Sequence, residues 1–330
     1  MNWNTVPALP DLLPGGENRI TYAQAVHEAL DSALASDERV RVFGEGVTDC
    51  YGTYGLTKGL AEKYPGRVFD TPTAEQIITG VGVGMALGGL RPIVIHPRND
   101  FLLLALDQIA NHAAKWRTMC GQPCPLTVLT VACRGWGSAA QHSQALHGLL
   151  ASFPGLYVSV PFRPQDARDC VLCGGWLGPT VVCLHKWLWQ LTGSVVERNP
   201  QALTHTTLRE GTDVTIVGIS YGSADALRAA DILAQRGTSA EVIDLCWLRD
   251  KGTAFFAAVH SCKTTHRLVV VDTGHVAYGA SAEIVAAVAE QVPLRGVARV
   301  GLPDSPVPAN NERDYFPGPD DVVRAVESIL

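Results

Sequence analysis

The hydrophobic and polar positions of this chain follow two patterns in turn. Short runs that are apolar at almost every position alternate with longer stretches whose apolar residues recur at helical spacing. The first set comprises "VRVFGE", "PIVIH" (Pro92–His96), "LTVLTVAC" (Leu126–Cys133), "LYVSVP" (Leu156–Pro161) and "TVVCLH" (Thr180–His185). Such runs, separated by helical stretches, predict a parallel sheet buried on both faces. Ahead of them, Thr21 and Gln24 make a capping-box pattern before "YAQAVHEALDSALAS", so a helix starts there. The pattern restarts at Asp213: "DVTIVGIS", a helix over Ser223–Arg236, "AEVIDL", a helical stretch, "RLVVVD" and a helix near Tyr278–Gln291. A second, smaller α/β unit is expected.

The punctuation between these patterns sets the boundaries. Residues 1–19 hold three Pro and a Gly-Gly pair and read as an extended arm. Residues 20–192 form the first domain, the polar Pro200-containing segment 193–211 the linker, and residues 212–330 the second domain.

Composition narrows the function. Hydrophobic residues make up 47% of the chain and charged ones 18%, which suggests that another subunit covers part of the surface. A net charge of −6, with no Lys/Arg cluster, offers nucleic acid no basic footprint. The nine cysteines sit mostly in apolar runs and fit a reduced cytoplasm. The close pairs Cys120/Cys124 and Cys170/Cys173 have no nearby His to complete a zinc site. The N-terminus lacks the basic end and apolar core of a signal peptide. No run of ~18 apolar residues predicts a membrane span.

Gly80, Gly84 and Gly88 lie four apart, so on a helix they would share a face and permit close packing. The stretch fails the dinucleotide fingerprint GxGxxG, because Met85 and Leu87 fall where the last Gly belongs. Walker A and HExxH motifs are absent as well.

More specific are "RVFDTPTAEQIITGVGVGMALGGLRPIVI", "DFLLLALDQIANHAAKWR", "AAQHSQALHGLLASFPGLYVSVPFRPQDAR" and "GTDVTIVGISYGSADALRAADILAQRGTSAEVIDLCWLR". In order and content, these segments resemble the β subunits of the thiamine diphosphate-dependent 2-oxo acid dehydrogenase E1 component, within the transketolase-like superfamily. The match runs from about Ile20 to the C-terminus. It implies an α/β fold with a parallel-sheet pyrimidine-binding domain followed by a smaller transketolase C-terminal domain.

The resemblance also assigns residues. Glu75 is the carboxyl that supports the protonated pyrimidine N1′ of the cofactor; an apolar setting raises such a carboxyl by desolvation. A Glu at a helix start after Thr73 would also be explained by the helix dipole alone. Phe101, 26 residues further on, takes the place of the ring that stacks on the aminopyrimidine, although three Leu after it would also suit simple core packing. His142, in "QHSQ" after the loop "RGWGSAA", faces the substrate channel in the family and assists transfer of the fragment to a lipoyl group. Gln141, Ser143 and Gln144 are structural or hydrogen-bonding supports, with Gln141 on the substrate side. Glu45, in the "GE" motif, approaches the site or the subunit contact.

Two departures matter. Related β subunits carry an acidic residue and aromatics just before the stacking Phe, whereas this chain has "IVIHPRNDF". There His96 and Arg98 offer cationic donors for a phosphate or carboxylate, or are solvated loop residues. The chain also contains no Gly-Asp-Gly, the motif that holds Mg²⁺ and the diphosphate. The resemblance therefore implies an α-type E1 subunit in an α2β2 heterotetramer, holding most of the Mg²⁺ site, and a lipoyl-bearing E2 or carrier protein. Substrates left open are a 2-oxo acid and, for a split transketolase-like hybrid, a ketose phosphate. A non-catalytic scaffold subunit is the alternative outside enzymology, and the joint presence of Glu75, Phe101 and His142 argues against it.

Overall fold

A computed structural model describes residues 9, 12–134, 139–197, 199–200, 205–249, 255–310 and 312–330. Most of the expected arm, positions 135–138 of the Gly-containing loop, and positions 198 and 201–204 of the expected linker lie outside the described residues. Up to Ser194 the elements are β1 (Arg19–Thr21), α1 (Tyr22–Ser36), β2 (Val40–Gly44), α2 (Leu60–Lys63), β3 (Val68–Asp70), α3 (Glu75–Leu87), β4 (Arg91–His96), α4 (Ala114–Cys120), β5 (Thr127–Ala132), α5 (His147–Ala151), β6 (Tyr157–Ser159), α6 (Pro164–Cys173), β7 (Thr180–His185) and β8 (Thr192–Ser194). There follow β9 (His205–Arg209), β10 (Val214–Ile219), α7 (Gly222–Gln235), β11 (Ala240–Leu245), β12 (Trp247–Arg249), α8 (Phe256–Thr265), β13 (Arg267–His275), α9 (Ala280–Ala289), β14 (Gly296–Leu302), α10 (Glu312–Tyr315) and α11 (Pro319–Glu327).

The chain divides into two compact units. Met1–Ala132, Leu150–Ser159 and Arg163–Ala202 form the first; Cys133–Leu149, Val160–Phe162 and Leu203–Leu330 form the second. Each has its own α/β sheet.

In the first unit β6-β7-β5-β4-β2-β3 lie side by side, every neighbouring pair parallel. Strands β5 and β7 are buried along their whole length, which is why they read as runs that are apolar at most positions. Helix α1 starts at the expected capping box: Gln24 N–H donates to Thr21 Oγ1 at 3.2 Å and Thr21 N–H to Gln24 Oε1 at 2.9 Å. Its buried stripe of Tyr22, Ala25, Val26, Ala29, Leu30, Ala33 and Leu34 follows helical spacing. Each large apolar residue buried in this way contributes about 1.5–3 kcal/mol.

Helix α3 packs on the sheet through Ile78, Thr79, Gly82, Val83 and Ala86. The close approach falls at Gly82, where a Cβ would lie 2.7 Å from Val94 Cγ2 and 3.1 Å from Leu126 Cδ1. It does not fall on the stripe of Gly80, Gly84 and Gly88, since a Cβ at Gly84 would meet nothing within 4 Å. Helical geometry turns that stripe away from the strands. After β4 the chain forms a 3₁₀ segment (Asn99–Ala105), then a wide π turn (Asp107–Ala113) that runs into α4. Such widened turns are frequent at functional sites.

In the second unit the order is β14-β13-β10-β11-β9, parallel except for the antiparallel pairing of β9 with β11. Strand β9 occupies residues that the sequence pattern assigns to the linker, because a half-exposed edge strand needs no apolar run. Residues 133–149, expected within the first domain, pack into this unit. Buried side chains fasten them there: Arg134 Nη2 donates to Asp225 Oδ2 at 3.0 Å, and His147 Nε2 lies 2.7 Å from Asp272 Oδ1.

The packing of α3 is open to test. Gly82→Val should overfill the helix–sheet contact and cost about 1–3 kcal/mol. Gly84→Ala should be neutral or stabilise the isolated chain by up to about 1 kcal/mol through helix propensity. Denaturant midpoints of the two variants should move in opposite directions or differ clearly, and equal midpoints would refute this packing.

Candidate active site

In an open parallel sheet, ligands bind outside the carboxyl ends of the strands. Three neighbouring strands of the first unit, β4, β2 and β3, end there in or just before a polar residue. His96 is the last residue of β4, Glu45 follows β2, and Asp70 ends β3. Helix α3 begins with Glu75, after a four-residue link from Asp70. The chain leaves β2 through Gly44, at φ 150°, where a Cβ would collide with the carbonyl oxygen of Ile95. Only glycine lets β2 exit so close to β4, and Glu45 N–H donates to that same oxygen at 3.3 Å.

Glu75 is 6% exposed, a buried carboxyl at the first position of a helix. Its neighbours differ from the expected apolar pair: Ile78 is buried, but Ile77 is 67% exposed. The charge of Glu75 is felt instead by a second acid, Glu45. Burial first, then the charges of Glu75 and Asp70, push Glu45 up to about 7. Glu45 Oε1 is buried with no hydrogen-bond partner among the described residues. Glu45 thus belongs to the site edge, and Asp70 joins it. Asp70 lies inside the quoted "RVFDTP" segment, and its position at a strand end was the available signal.

The structure changes the chemistry expected of His96. It is 1% exposed, and burial pushes it down to about 4, so the ring is neutral at neutral pH and supplies no cation. His96 Nε2 is 2.8 Å from Thr79 Oγ1, a buried residue one helical turn beyond Glu75. His96 Nδ1 is buried without a partner among the described residues. The ring therefore braces α3 against β4. Arg98 and Phe101 are half-buried, Arg98 just ahead of the 3₁₀ segment and Phe101 within it, and that segment packs against α3. The residues present suit a flat heterocycle with a protonated ring nitrogen: a buried carboxyl, an orphaned carboxylate oxygen and an aromatic ring half open to solvent.

Gln141 and His142 belong to the second unit. They sit in a 3₁₀ turn, Ala140–His142, with Gln141 exposed and His142 half-buried. His142 N–H donates to Ala139 O at 3.1 Å. Ala139 has φ 62° and ψ −159°, a region that suits glycine and costs other residues about 1–3 kcal/mol. Buried Ser143 donates its hydroxyl to Glu312 Oε1 at 2.6 Å, and Ala139 N–H donates to Glu312 Oε2 at 3.2 Å. Glu312 was not foreseen, because 169 residues separate it from Ser143 and no local pattern marks it.

A parallel-sheet α/β unit with carboxylates at its carboxyl edge, followed by a mixed α/β unit, agrees with the transketolase-like class of proteins, which the family matches show. Residues 18–190 match the family of the transketolase pyrimidine-binding domain and residues 204–322 that of the transketolase C-terminal domain. The β-1 subunit of the mitochondrial pyruvate dehydrogenase E1 component of Arabidopsis thaliana is 38% identical, covering 94% of this chain and 89% of its own. The β subunit of acetoin:2,6-dichlorophenolindophenol oxidoreductase from Bacillus subtilis (strain 168) is 33% identical, with 94% and 97% covered. Among solved structures, a split-gene transketolase described as an inactive β4 tetramer superposes with a TM-score of 0.78 at 25% identity, over 96% of this chain and 99% of that one. The chain belongs to the transketolase-like family of pyruvate dehydrogenase E1 β subunits.

The acid cluster yields a prediction with a definite sign. Glu45 is raised from 4.5 to about 7, so its contribution to stability is complete below pH 4.5 and is lost as pH rises through about 7. Glu45→Gln should therefore raise the thermal midpoint of the isolated chain at pH 8 and leave it nearly unchanged at pH 4.5. A gain at pH 4.5 that matches the one at pH 8 would show that Glu45 carries no such strain.

Proposed function

We propose that this chain is the pyrimidine-binding β subunit of a thiamine diphosphate enzyme that decarboxylates a 2-oxo acid and transfers the acyl fragment to a lipoyl carrier. The observation that carries this reading is the buried Glu75 carboxyl at the start of α3, beside Glu45 and Asp70, in a chain of the E1 β family. When bound, thiamine diphosphate supplies a thiazolium carbon that becomes nucleophilic once its own 4′-amino group can accept a proton. Glu75 holds the proton at the pyrimidine N1′ that makes this possible. Glu45, uncharged in about half of the molecules near pH 7, lets a second carboxyl stand beside Glu75 without full like-charge repulsion. Phe101 offers its ring face to the pyrimidine, and His142 supports transfer of the fragment.

The chain contains no Gly-Asp-Gly, so an α-type subunit supplies most of the Mg²⁺–diphosphate grip and the active assembly is an α2β2 heterotetramer. The rival substrate, a ketose phosphate, drew support from His96 and Arg98 as a cationic pair. With His96 neutral, that cationic pair is lost, and the 2-oxo acid is the better reading.

Calorimetric titration should find tight, Mg²⁺-dependent binding of thiamine diphosphate only when the α-type partner is present. Tight one-to-one binding to the isolated chain would overturn the split site. In the reconstituted complex, Glu75→Gln should lower turnover about 10²–10⁴-fold while assembly survives. Full activity would remove Glu75 from its role, just as unchanged cofactor affinity in Phe101→Ala would remove the stacking. Pyruvate, branched 2-oxo acids and a ketose phosphate should be offered in parallel, with the loaded carrier read by mass. Loading by the ketose phosphate alone, weakened by Arg98→Lys, would replace the 2-oxo acid reading with the transketolase-like one.

A further inference from the structure

A single carboxylate closes the turn that carries Gln141 and His142. Glu312 Oε2 accepts the Ala139 N–H at the start of the turn at 3.2 Å, and Oε1 accepts the Ser143 hydroxyl at its end at 2.6 Å. Glu312 is 4% exposed and Ser143 2%, so water does not compete for the bond between them, and the bond to Ala139 is part-buried. Ala139 is held at a backbone conformation that an alanine rarely adopts, and such positions persist only where their surroundings over-determine them. The clamped N–H belongs to that same residue. A few residues after Glu312, Pro317 O accepts Arg134 Nη1 at 3.1 Å, and the Phe316 ring lies 5.5 Å from the Arg134 guanidinium carbon. One short stretch of the second unit thus grips both Arg134 and the 139–143 turn.

We propose that Glu312 is a positioning residue for His142, fixing the turn so that the imidazole meets the acyl-accepting group in a productive orientation. This rests on the acyl-transfer reading given above. The chemistry asks for a side chain with two acceptors at its tip, long enough to reach both ends of the turn. Glutamate provides this as a carboxylate. Glutamine keeps most of it: its carbonyl accepts the Ala139 N–H, and the Ser143 hydroxyl, which both donates and accepts, rotates to take the amide proton. Alanine provides neither bond.

The test uses the reconstituted complex with a lipoylated carrier protein as acceptor, together with hydrogen exchange of the 139–143 amides. Glu312→Ala should speed exchange there about tenfold or more while amides elsewhere keep their protection. Its kcat for carrier loading should fall about 10²-fold, the scale of a reacting group displaced by about 1 Å, while the carrier KM stays within about twofold. Glu312→Gln should restore most of the exchange protection and of kcat. Ser143→Ala opens one end of the turn only, should give an intermediate loss, and serves if Glu312→Ala does not assemble. Wild-type exchange or wild-type kcat in Glu312→Ala overturns the proposal. So does a Gln variant as impaired as the Ala variant, since charge rather than placement would then be at work. A wild-type complex that loads no lipoyl carrier defeats the acyl-transfer reading itself, and the exchange contrast between Ala and Gln then decides separately whether Glu312 closes the turn.

Discussion

A parallel strand that is apolar on both faces can carry a polar side chain cheaply only where it ends, because a polar group buried between two layers needs a partner that neither layer supplies. The first unit is built around this constraint. β4, β2 and β3 are neighbours, so His96, Glu45 and Asp70 come to one edge, and the four-residue link from β3 brings the start of α3 to the same edge. The cost of that gathering is electrostatic. Burial and the neighbouring charges of Glu75 and Asp70 work against an ionised Glu45, pushed up to about 7, while Asp70 itself is exposed. Glu45 therefore stays partly protonated at neutral pH.

Helix α3 serves two surfaces with one sequence. Its inner face is cut back at Gly82 so that it can lie close on Val94 and Leu126, and Thr79 on that face takes the hydrogen bond from or to His96. Its outer face keeps Ile77 and Val81 exposed, and in the same unit Leu104 is exposed as well. Exposed apolar side chains that form a patch are one mark of a surface for a partner. The split site proposed here needs such a surface, and the apolar composition of the whole chain agrees with it.

The buried elements were legible in the sequence because burial on both faces leaves a run that is apolar at most positions. Strands β7 and β11 begin and end at the residues the pattern marks, and the Thr21–Gln24 box opens α1. Edge elements were not legible for the converse reason. β9 and β14 are half-exposed for most of their length, and β3 is three residues long, so none makes an apolar run. In the site, Glu75, Phe101 and His142 came from resemblance, and periodicity alone would have left each of them a helix-start acid, a core ring and a loop imidazole. The meeting of Glu45, Asp70 and Glu75, like that of Ser143 with Glu312, is made by topology. No local window of sequence contains it.

His96 shows why residue type alone misleads about charge. A histidine near an arginine, in a segment where relatives carry an acid and aromatics, reads as half of an anion-binding pair. That reading holds only if the ring is open to water, since an imidazolium buried without a carboxylate beside it pays the full desolvation cost. The ring ends a central strand and lies under α3, where burial alone moves it down to about 4. The same burial that removes the charge makes the hydrogen bond to Thr79 worth more, because water no longer competes for either partner. A neutral histidine there fixes the register of α3 on β4, and with it the place of Glu75 one turn away. His96 therefore acts on Glu75 through the helix, and a substrate anion would have to be met by Arg98 without help from His96.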